Sequence, residues 1–569
     1  MNIGEDAGSG IGPDKLDALV IGAGFAGLYM LHSLRQLGMT SLVLEAADDV
    51  GGTWQHNRYP GLRCDVESML YCYSFSEELD REWTWTERYP AQPEILRYLR
   101  HVADRFELRR DIRLNTRVTE AAFNDAGNDW TVVTSEGDCF VAKYLVMATG
   151  CLSVPTLPRF AGLNTFRGDW YHTARWPEQG VDFSGKRVGV VGTGSSGIQC
   201  IPVIAQQAEH LTVFQRTPAF VVPARNAPLD EQFVQSIKAN YAFHRGRQRN
   251  AEIIGGGDLA LAGDARIPPG ESALSLRPEE RDALMERRWA QGGAQFAVTF
   301  PDALVDPQVN EIAAEFVRKK IREAVRDEAV AKILSPRSYP FATKRLCVGT
   351  DYYETYNREN VELVDAKANA IVEITSEGIR TQVKNHQLDA IVFATGYDAM
   401  TGALLNIRIT GSGGRRLSDD WSHGPQSYLG ISVSGYPNMF LITGPGSPSV
   451  ISNVVMSIEQ HVEFIAGILE DLRDAGVERF EASEEAQAGW AAHVREVAGR
   501  TLLVKSNSWY VGANIPGKPR VFMVYVGGVH VYRRVCERVR KRGYTGFLLD
   551  GRSRAPARET ASDYAGESM

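Results

Sequence analysis

Apolar residues gather in short continuous runs, several followed at once by glycine and then by a helical stripe. The run "ALVIGAGFAGLYMLHSLRQLG" predicts strand, tight turn and helix, and "SLVLEAA" a second buried strand, the opening of a βαβ unit. "KRVGVVGTGSSGIQCIPVIA" repeats the pattern about 170 residues later, and "LTVFQRT" supplies its second strand. Between them, "WTVVTSEGDCFVAKYLVMATG" predicts a hairpin and a strand ending at Gly150. The segment "ELVDAKANAIVEITSEGIRTQVKNHQLDAIVFATGYD" returns to strands and repeats the Ala-Thr-Gly ending. Residues 221–335 differ in character. "RPEERDALMERRWAQGG" and "NEIAAEFVRKKIREAVRDEAVAKIL" space apolar residues at three and four, as amphipathic helices do. The stretch "FRGDWYHTARWP" (166–177) has neither alternation nor stripe and reads as a linker.

The fold class is therefore α/β, with two dinucleotide-binding, Rossmann-like domains and a helical insertion in the second. The expected partition assigns 16–150 and 386–549 to the first unit and 151–220 and 336–385 to the second. Residues 221–335 form the insertion, and disordered tails occupy 1–15 and 550–569.

Composition narrows the function. The chain has 569 residues, 44% hydrophobic, with 62 Lys+Arg against 70 Asp+Glu and a net charge of −8. That mild acidity argues against a nucleic-acid surface. No apolar run approaches the ~20 residues that span a bilayer, and the N-terminus lacks a basic start and apolar core. A cytoplasmic protein, monomer or homodimer, is expected. The seven cysteines, Cys64, Cys72, Cys139, Cys151, Cys200, Cys347 and Cys536, contain no Cys-x-x-Cys, so neither a zinc site nor a dithiol redox pair is indicated.

The candidate chemistry begins at the glycines. In Gly22-x-Gly24-Phe25-Ala26-Gly27, Gly22 allows the tight turn, Gly24 the approach of a pyrophosphate, and Gly27 close helix–strand packing. The helix N-terminus supplies N–H groups and positive dipole to phosphate. Glu45, ending the next strand, suits ribose hydroxyls, as in an FAD site. The second turn, Gly192-Thr193-Gly194-Ser195-Ser196-Gly197, is followed by a strand ending in Gln215-Arg216-Thr217. With no carboxylate there, Arg216 suits a 2′-phosphate and hence NADPH. Two cofactors imply hydride transfer from nicotinamide to flavin. Without paired cysteines, molecular oxygen is the favoured next acceptor.

The linker then gains meaning. Phe166-x-Gly168-x-x-x-His172-x-x-x-Trp176-Pro177 resembles the fingerprint of the type I Baeyer–Villiger monooxygenases. "GGTWQHNRYPGLRCDVES" (51–68), "YPFATKRLCVGTDYYETYNRENVELVD" (339–365) and "NSWYVGANIPGKPRVFMVYVGG" (507–528) extend the likeness over residues 16–549. Within that family the resemblance is nearest to the phenylacetone and steroid monooxygenases.

The resemblance implies oxygen insertion beside a ketone carbonyl, giving an ester or lactone through a C4a-peroxyflavin stabilised by Arg345. It implies that Asp65 pairs with Arg345, and that Lys344 joins Arg216 and Thr217 at the 2′-phosphate. Trp509 is placed near the nicotinamide ribose. It adds Thr53, Trp54, Asp65, Tyr71 and Val118 to the FAD set and Arg345 to the NADP set, and makes Ser449, Val450 and Ile451 an apolar ketone pocket. No metal is implied. His172 is either a hinge anchor or a substrate contact, and Phe166 and Trp176 pack the linker down. Gln55, His56 and Cys151 depart from the family's usual residues; the first two are expected to alter packing near the flavin or the substrate entrance. Alternative readings are a flavin monooxygenase of sulfides or amines, an NADPH oxidase or reductase, and a nucleotide-binding sensor.

Overall fold

The computed structural model of the chain describes residues 15–157, 159–251, 261 and 271–553. Residues 1–14 and 554–569, which make up most of the two expected tails, lie outside the described residues. The expected C-terminal tail begins too early, because Arg552–Ser553 pairs antiparallel with Phe547–Leu549. No helix among the described residues is long and apolar enough to cross a membrane.

The first sheet is built around Leu16–Ile21, which runs parallel between Ser41–Leu44 and Cys139–Met147. Beyond the latter lie Asp129–Thr134 and Val118–Asn124 in antiparallel register, then Arg408–Thr410. The nine-residue strand Cys139–Met147 is shared. Its first part pairs with Asp129–Thr134, and its last three residues pair with Met439–Leu441. Leu19, Val20, Leu145 and Val146 are fully buried, as expected for strands covered on both faces. The helix Phe25–Gln36 buries Leu28, Leu31 and Leu34 and packs against the helix Val454–Asp474.

The second sheet is wholly parallel among the described residues, in the order Val361–Asp365, His210–Gln215, Arg187–Val191, Ala390–Phe393 and Asp169–His172. Two expectations change here. Ala390–Phe393 sits between Arg187–Val191 and Asp169–His172, so the first unit cannot resume at residue 386; the return follows residue 393. The linker also contains a strand. Asp169–His172 is an edge strand with a single partner, half-exposed, so it shows no alternation.

Among its described residues the insertion is mainly helical, although it opens on the strand Val221–Pro223, paired parallel with Cys347–Gly349. Asp306 caps the helix Pro307–Ala324 through the N–H groups of Gln308 and Val309, with proline at the first helical position. Its Phe316, Val317 and Ile321 join the core around Ile198, Ile201 and Val213, while Val234, Ile237 and Leu304 reach the first unit's core.

The chain crosses between the sheets twice, and the crossings lie side by side. Residues 151–156 and 396–400 run antiparallel, joined by Thr156 N–H to Gly396 O, Asp398 N–H to Val154 O and Met400 N–H to Cys151 O, each 2.8 Å. His172 locks this two-ply strap. It is buried, and its Nδ1 accepts from Ala174 N–H at 3.0 Å. The neutral ring therefore carries its proton on Nε2, which donates to Thr395 Oγ1 at 3.0 Å, and that hydroxyl donates to Thr156 O at 2.7 Å. Gly168 is needed because a Cβ there would lie 2.3 Å from Asp389 O. Phe166, like Phe160 and Leu163, packs against the buried cluster that includes Phe214, Leu388 and Phe393. Trp176, with Pro177 after it, packs between Tyr171 and Phe183.

Burial holds the His172 imidazole below its usual pKa of 6.5. Below that pH the unfolded chain takes up a proton that the folded chain refuses. The contribution to stability is thus complete above pH 6.5 and declines as pH falls. His172→Asn is expected to lose about 1–2 kcal/mol of stability at neutral pH. It should also show a shallower fall in melting temperature than the parent between about pH 7.5 and 5.5. Identical pH slopes for the two proteins would contradict the assignment.

Candidate functional site

Both glycine turns are assembled alike. Gly22 and Gly192 have φ of 105° and 109°, where a side chain is strained. A Cβ on either would lie 2.6 Å from Ala148 O or 2.5 Å from Ala394 O. A Cβ on Gly27 or Gly197 would meet the carbonyl of Gly22 or Gly192 at 1.8 Å or 2.2 Å. The repeated Ala-Thr-Gly meets the turn here: the backbone carbonyl of its alanine is what a side chain on Gly22 or Gly192 would strike. The middle glycines differ. A Cβ on Gly194 would meet nothing within 4 Å, and one on Gly24 only Gly52. No side chain caps either helix. Uncapped helix N–H groups beside an open approach fit a pyrophosphate at each turn.

The two strand ends set different electrostatics. At the first, Glu45 is buried and accepts from the N–H groups of Ala23 (2.6 Å) and Ala47 (2.8 Å). Val118, at the start of its strand, is buried behind this end, where Thr116 N–H reaches Glu45 O. Thr53 opens the short helix Thr53–His56, and Trp54 Nε1 donates to the Tyr71 hydroxyl at 3.3 Å. Gln55 is buried and donates to Asp48, while half-exposed His56 lies 3.9 Å from Glu45. These two departures therefore belong to the Glu45 end of the site.

At the second end, a cleft of about 370 Å³ is lined by Arg216, Thr217, Ser335, Arg337, Ser338 and Lys367. Thr193 Oγ1 donates to Thr217 O at 3.3 Å, and Ser195 Oγ lies 3.5 Å from Cys347 Sγ. Ser196, which follows in the helix Ser195–Gln207, is partly exposed. Lys344 Nζ sits 4.4 Å over the Tyr339 ring. Burial and the Arg216 charge together hold the Lys344 ammonium below its usual pKa, a repulsion that a phosphate dianion would reverse. Arg337 and Lys367 escaped the sequence reading. The available signal was positional: Lys367 follows the strand Val361–Asp365, which ends in register with Gln215.

Two residues before Cys347, which meets Ser195 of the second turn, comes Arg345 of the charged pair. Arg345 Nε donates to Asp65 Oδ2 at 2.8 Å and Nη2 to Oδ1 at 2.7 Å, a bidentate fork; Nη1 donates to Val450 O at 3.1 Å. Burial alone would raise the Asp65 carboxyl. The charge and hydrogen bonds of Arg345 outweigh it and hold it below the usual carboxylate range. Cys151, Leu152, Val450 and Trp509 pack against buried Ala399, Met400 and Met523. Three residues distant in sequence, Cys151, Val450 and Trp509, thus share one apolar wall beside the pair. Burial pushes the Cys151 thiol up to about 11, with Ser449 acting the other way, so it stays protonated. Ser449 is fully buried at a φ of 38°, and Val450 and Ile451 complete its short turn.

The geometry separates folding from binding within one motif. Gly194→Val is expected to keep the parent melting temperature and to weaken NADPH binding by at least about tenfold, read by titration. Gly197→Ala is expected to lose several kcal/mol of stability, because the contact is with backbone. A Gly194→Val protein that binds NADPH normally would remove the pyrophosphate assignment.

The comparisons agree with this architecture. The family model for pyridine nucleotide-disulphide oxidoreductase matches residues 19–247. A Baeyer–Villiger monooxygenase of Pseudooceanicola batsensis is 42% identical over 97% of this chain and 99% of its own. The phenazine N-monooxygenase PhzNO1 of Lysobacter antibioticus is 41% identical over 94% of this chain and 97% of its own. Among solved structures, oxidized steroid monooxygenase bound to NADP is 50% identical, with TM-score 0.88 over 94% of this chain and 99% of that one. OTEMO in complex with FAD and NADP is 38% identical, with TM-score 0.90 over 95% of this chain and 100% of that one. With its paired glycine turns and its arginine–aspartate fork, the chain belongs to the Baeyer–Villiger monooxygenases, flavoenzymes that work with FAD and NADPH.

Proposed function

We propose that Arg345, held by Asp65, is the catalytic cation for oxygen insertion beside the carbonyl of an apolar ketone, giving an ester or lactone. The observation that carries this reading is the bidentate fork, with its third bond to Val450 O beside an apolar wall. Bound FAD and NADPH supply the electrons that activate O₂. The rest falls to the chain's own residues.

Gly24 and Gly194 let the pyrophosphates approach, Glu45 takes the adenosine ribose of FAD, and Arg216 with Lys344 takes the 2′-phosphate of NADPH. Arg337 and Lys367 add positive charge to the same cleft. Asp65 fixes the plane of the guanidinium, so that its charge faces the oxyanion that develops on the substrate carbonyl. A guanidinium stays charged throughout and needs no proton transfer to do so. Trp509, Met400 and Met523 exclude water from the wall, which strengthens that field. The wall selects substrates by apolar contact rather than by hydrogen bonds. His172 belongs to the strap and not to the substrate, since both ring nitrogens are engaged there.

The phenazine N-monooxygenase among the relatives favours one second reading, oxidation of an aromatic nitrogen on the same scaffold. A panel of apolar ketones and N-heteroarenes, with product mass and ¹⁸O₂ incorporation, separates the two.

Arg345→Ala is expected to leave flavin reduction by NADPH near the parent rate and to lower ester formation by roughly 10²–10³-fold. Ester production at the parent rate would end its assignment. Arg216→Ala is expected to raise KM for NADPH by roughly 10–100-fold and leave KM for NADH unchanged. Equal effects on both would remove the 2′-phosphate role.

A further inference from the structure

The helix Tyr241–Arg249 of the insertion buries an unusual face. Phe243 points outward, 63% exposed, while Arg245 and Gln248 are buried. Tyr241, one turn before Arg245, lies 5.2 Å from its guanidinium by ring centre. A buried guanidinium is costly unless its donors are matched. Here Arg245 Nη2 donates to Tyr73 O and to Cys72 Sγ, both at 3.1 Å, and Nη1 to Leu70 O at 3.4 Å, with Asp80 at 3.5 Å. The insertion thus spends a charged side chain on the carbonyls of one loop, residues 70–74.

That loop is gripped from the opposite side as well. Asn453 is fully buried, and its Nδ2 donates to the same Leu70 O at 2.6 Å while its Oδ1 caps the helix Val454–Asp474. Ser74 is shared in the same way. It donates through N–H and Oγ to Glu459 on that helix, at 2.5 and 2.6 Å, and its Oγ accepts from Arg249 at 2.7 Å. The loop then touches the site at two points. The Tyr73 hydroxyl donates to Phe25 O in the first glycine turn at 2.6 Å, and Tyr71 meets Trp54. Asn453 lies three residues after Val450, whose carbonyl accepts from Arg345.

We infer that Arg245 is a positioning residue for oxygenation: from the helical insertion it fixes loop 70–74, and through the shared Leu70 carbonyl it sets the 449–453 turn, whose Val450 accepts from Arg345 and forms part of the apolar wall. This rests on the proposed role of Arg345. Arg245 thereby acts on the chemistry through loop 70–74. Arg245→Met leaves Tyr73 O without its donor and weakens one of the two holds on Leu70 O. Arg245→Lys keeps the charge and part of the bonding. Asn453→Ala releases Leu70 O from the other side.

The test uses the purified FAD-loaded enzyme and its best ketone. Flavin absorbance, melting temperature, the rate of flavin reduction by NADPH, KM for the ketone, and ester formed per NADPH consumed are measured for parent and variants. Arg245→Met is expected to reduce its flavin at the parent rate, to raise KM for the ketone, and to lower ester per NADPH several-fold, with hydrogen peroxide making up the balance. Arg245→Lys should recover part of the coupling, and Asn453→Ala should reproduce the loss. A folded Arg245→Met with parent coupling and KM overturns the inference. If Arg245→Met does not fold, parent-like coupling in both Arg245→Lys and Asn453→Ala overturns it. Failure of the underlying reading looks different: the parent enzyme itself would then form no ester, or Arg345→Ala would form it normally.

Discussion

The fork between Arg345 and Asp65 joins side chains 280 residues apart in sequence, and the rest of the site depends on keeping it aligned. Its two halves come from different units: Asp65 from the loop after the first glycine turn, Arg345 from the segment leading into Cys347–Gly349. The loop bearing Asp65 is pinned to the second unit's helix. Tyr59 donates to Gln199, Gln199 donates to Arg63 O, and Gly61 comes so close that a Cβ would lie 2.4 Å from Gln199 O. The pair is 22% and 26% exposed on its two side chains, so its net contribution to stability is small. What it provides is direction: a planar cation locked against a planar anion has few ways to turn.

The two nucleotide turns show how one backbone solution serves two ligands. Position for position the glycines do the same steric work, and each rests on an alanine carbonyl from an Ala-Thr-Gly ending. The difference lies a strand away, where buried Glu45 ends one edge and Arg216, Lys344, Arg337 and Lys367 gather at the other. On the proposed assignments, choice of ligand is electrostatic and sits on loops, while the ability to bind a dinucleotide at all sits in the packed turn.

What could be read from the chain follows from this split. The turns, their helices and the echo of Ala-Thr-Gly were legible because each obeys a local steric rule. Arg216 was legible because it stands where a strand should end in an acid. Arg337 and Lys367 were not, since they reach the cleft from other elements. The strand Asp169–His172 was hidden because an edge strand with one neighbour has no need to alternate. The boundary at 386 failed because a buried strand looks alike in either sheet. Only the pairing of Ala390 with Val188 and Asp169 decides it. The insertion could be recognised as helical, but a helix that buries arginine rather than leucine has no pattern that names its target.

The strap of 151–156 and 396–400 has a topological consequence. The polypeptide enters and leaves the second sheet through one doorway, with His172, Thr395 and Thr156 bolting the two jambs together. Everything between is a cassette whose ends already touch. A cassette with a single threshold has its two joins at one place, so an exchange for another of different nucleotide preference needs only one splice site, provided the incoming chain keeps Arg345 and the insertion's packing against the first unit's core.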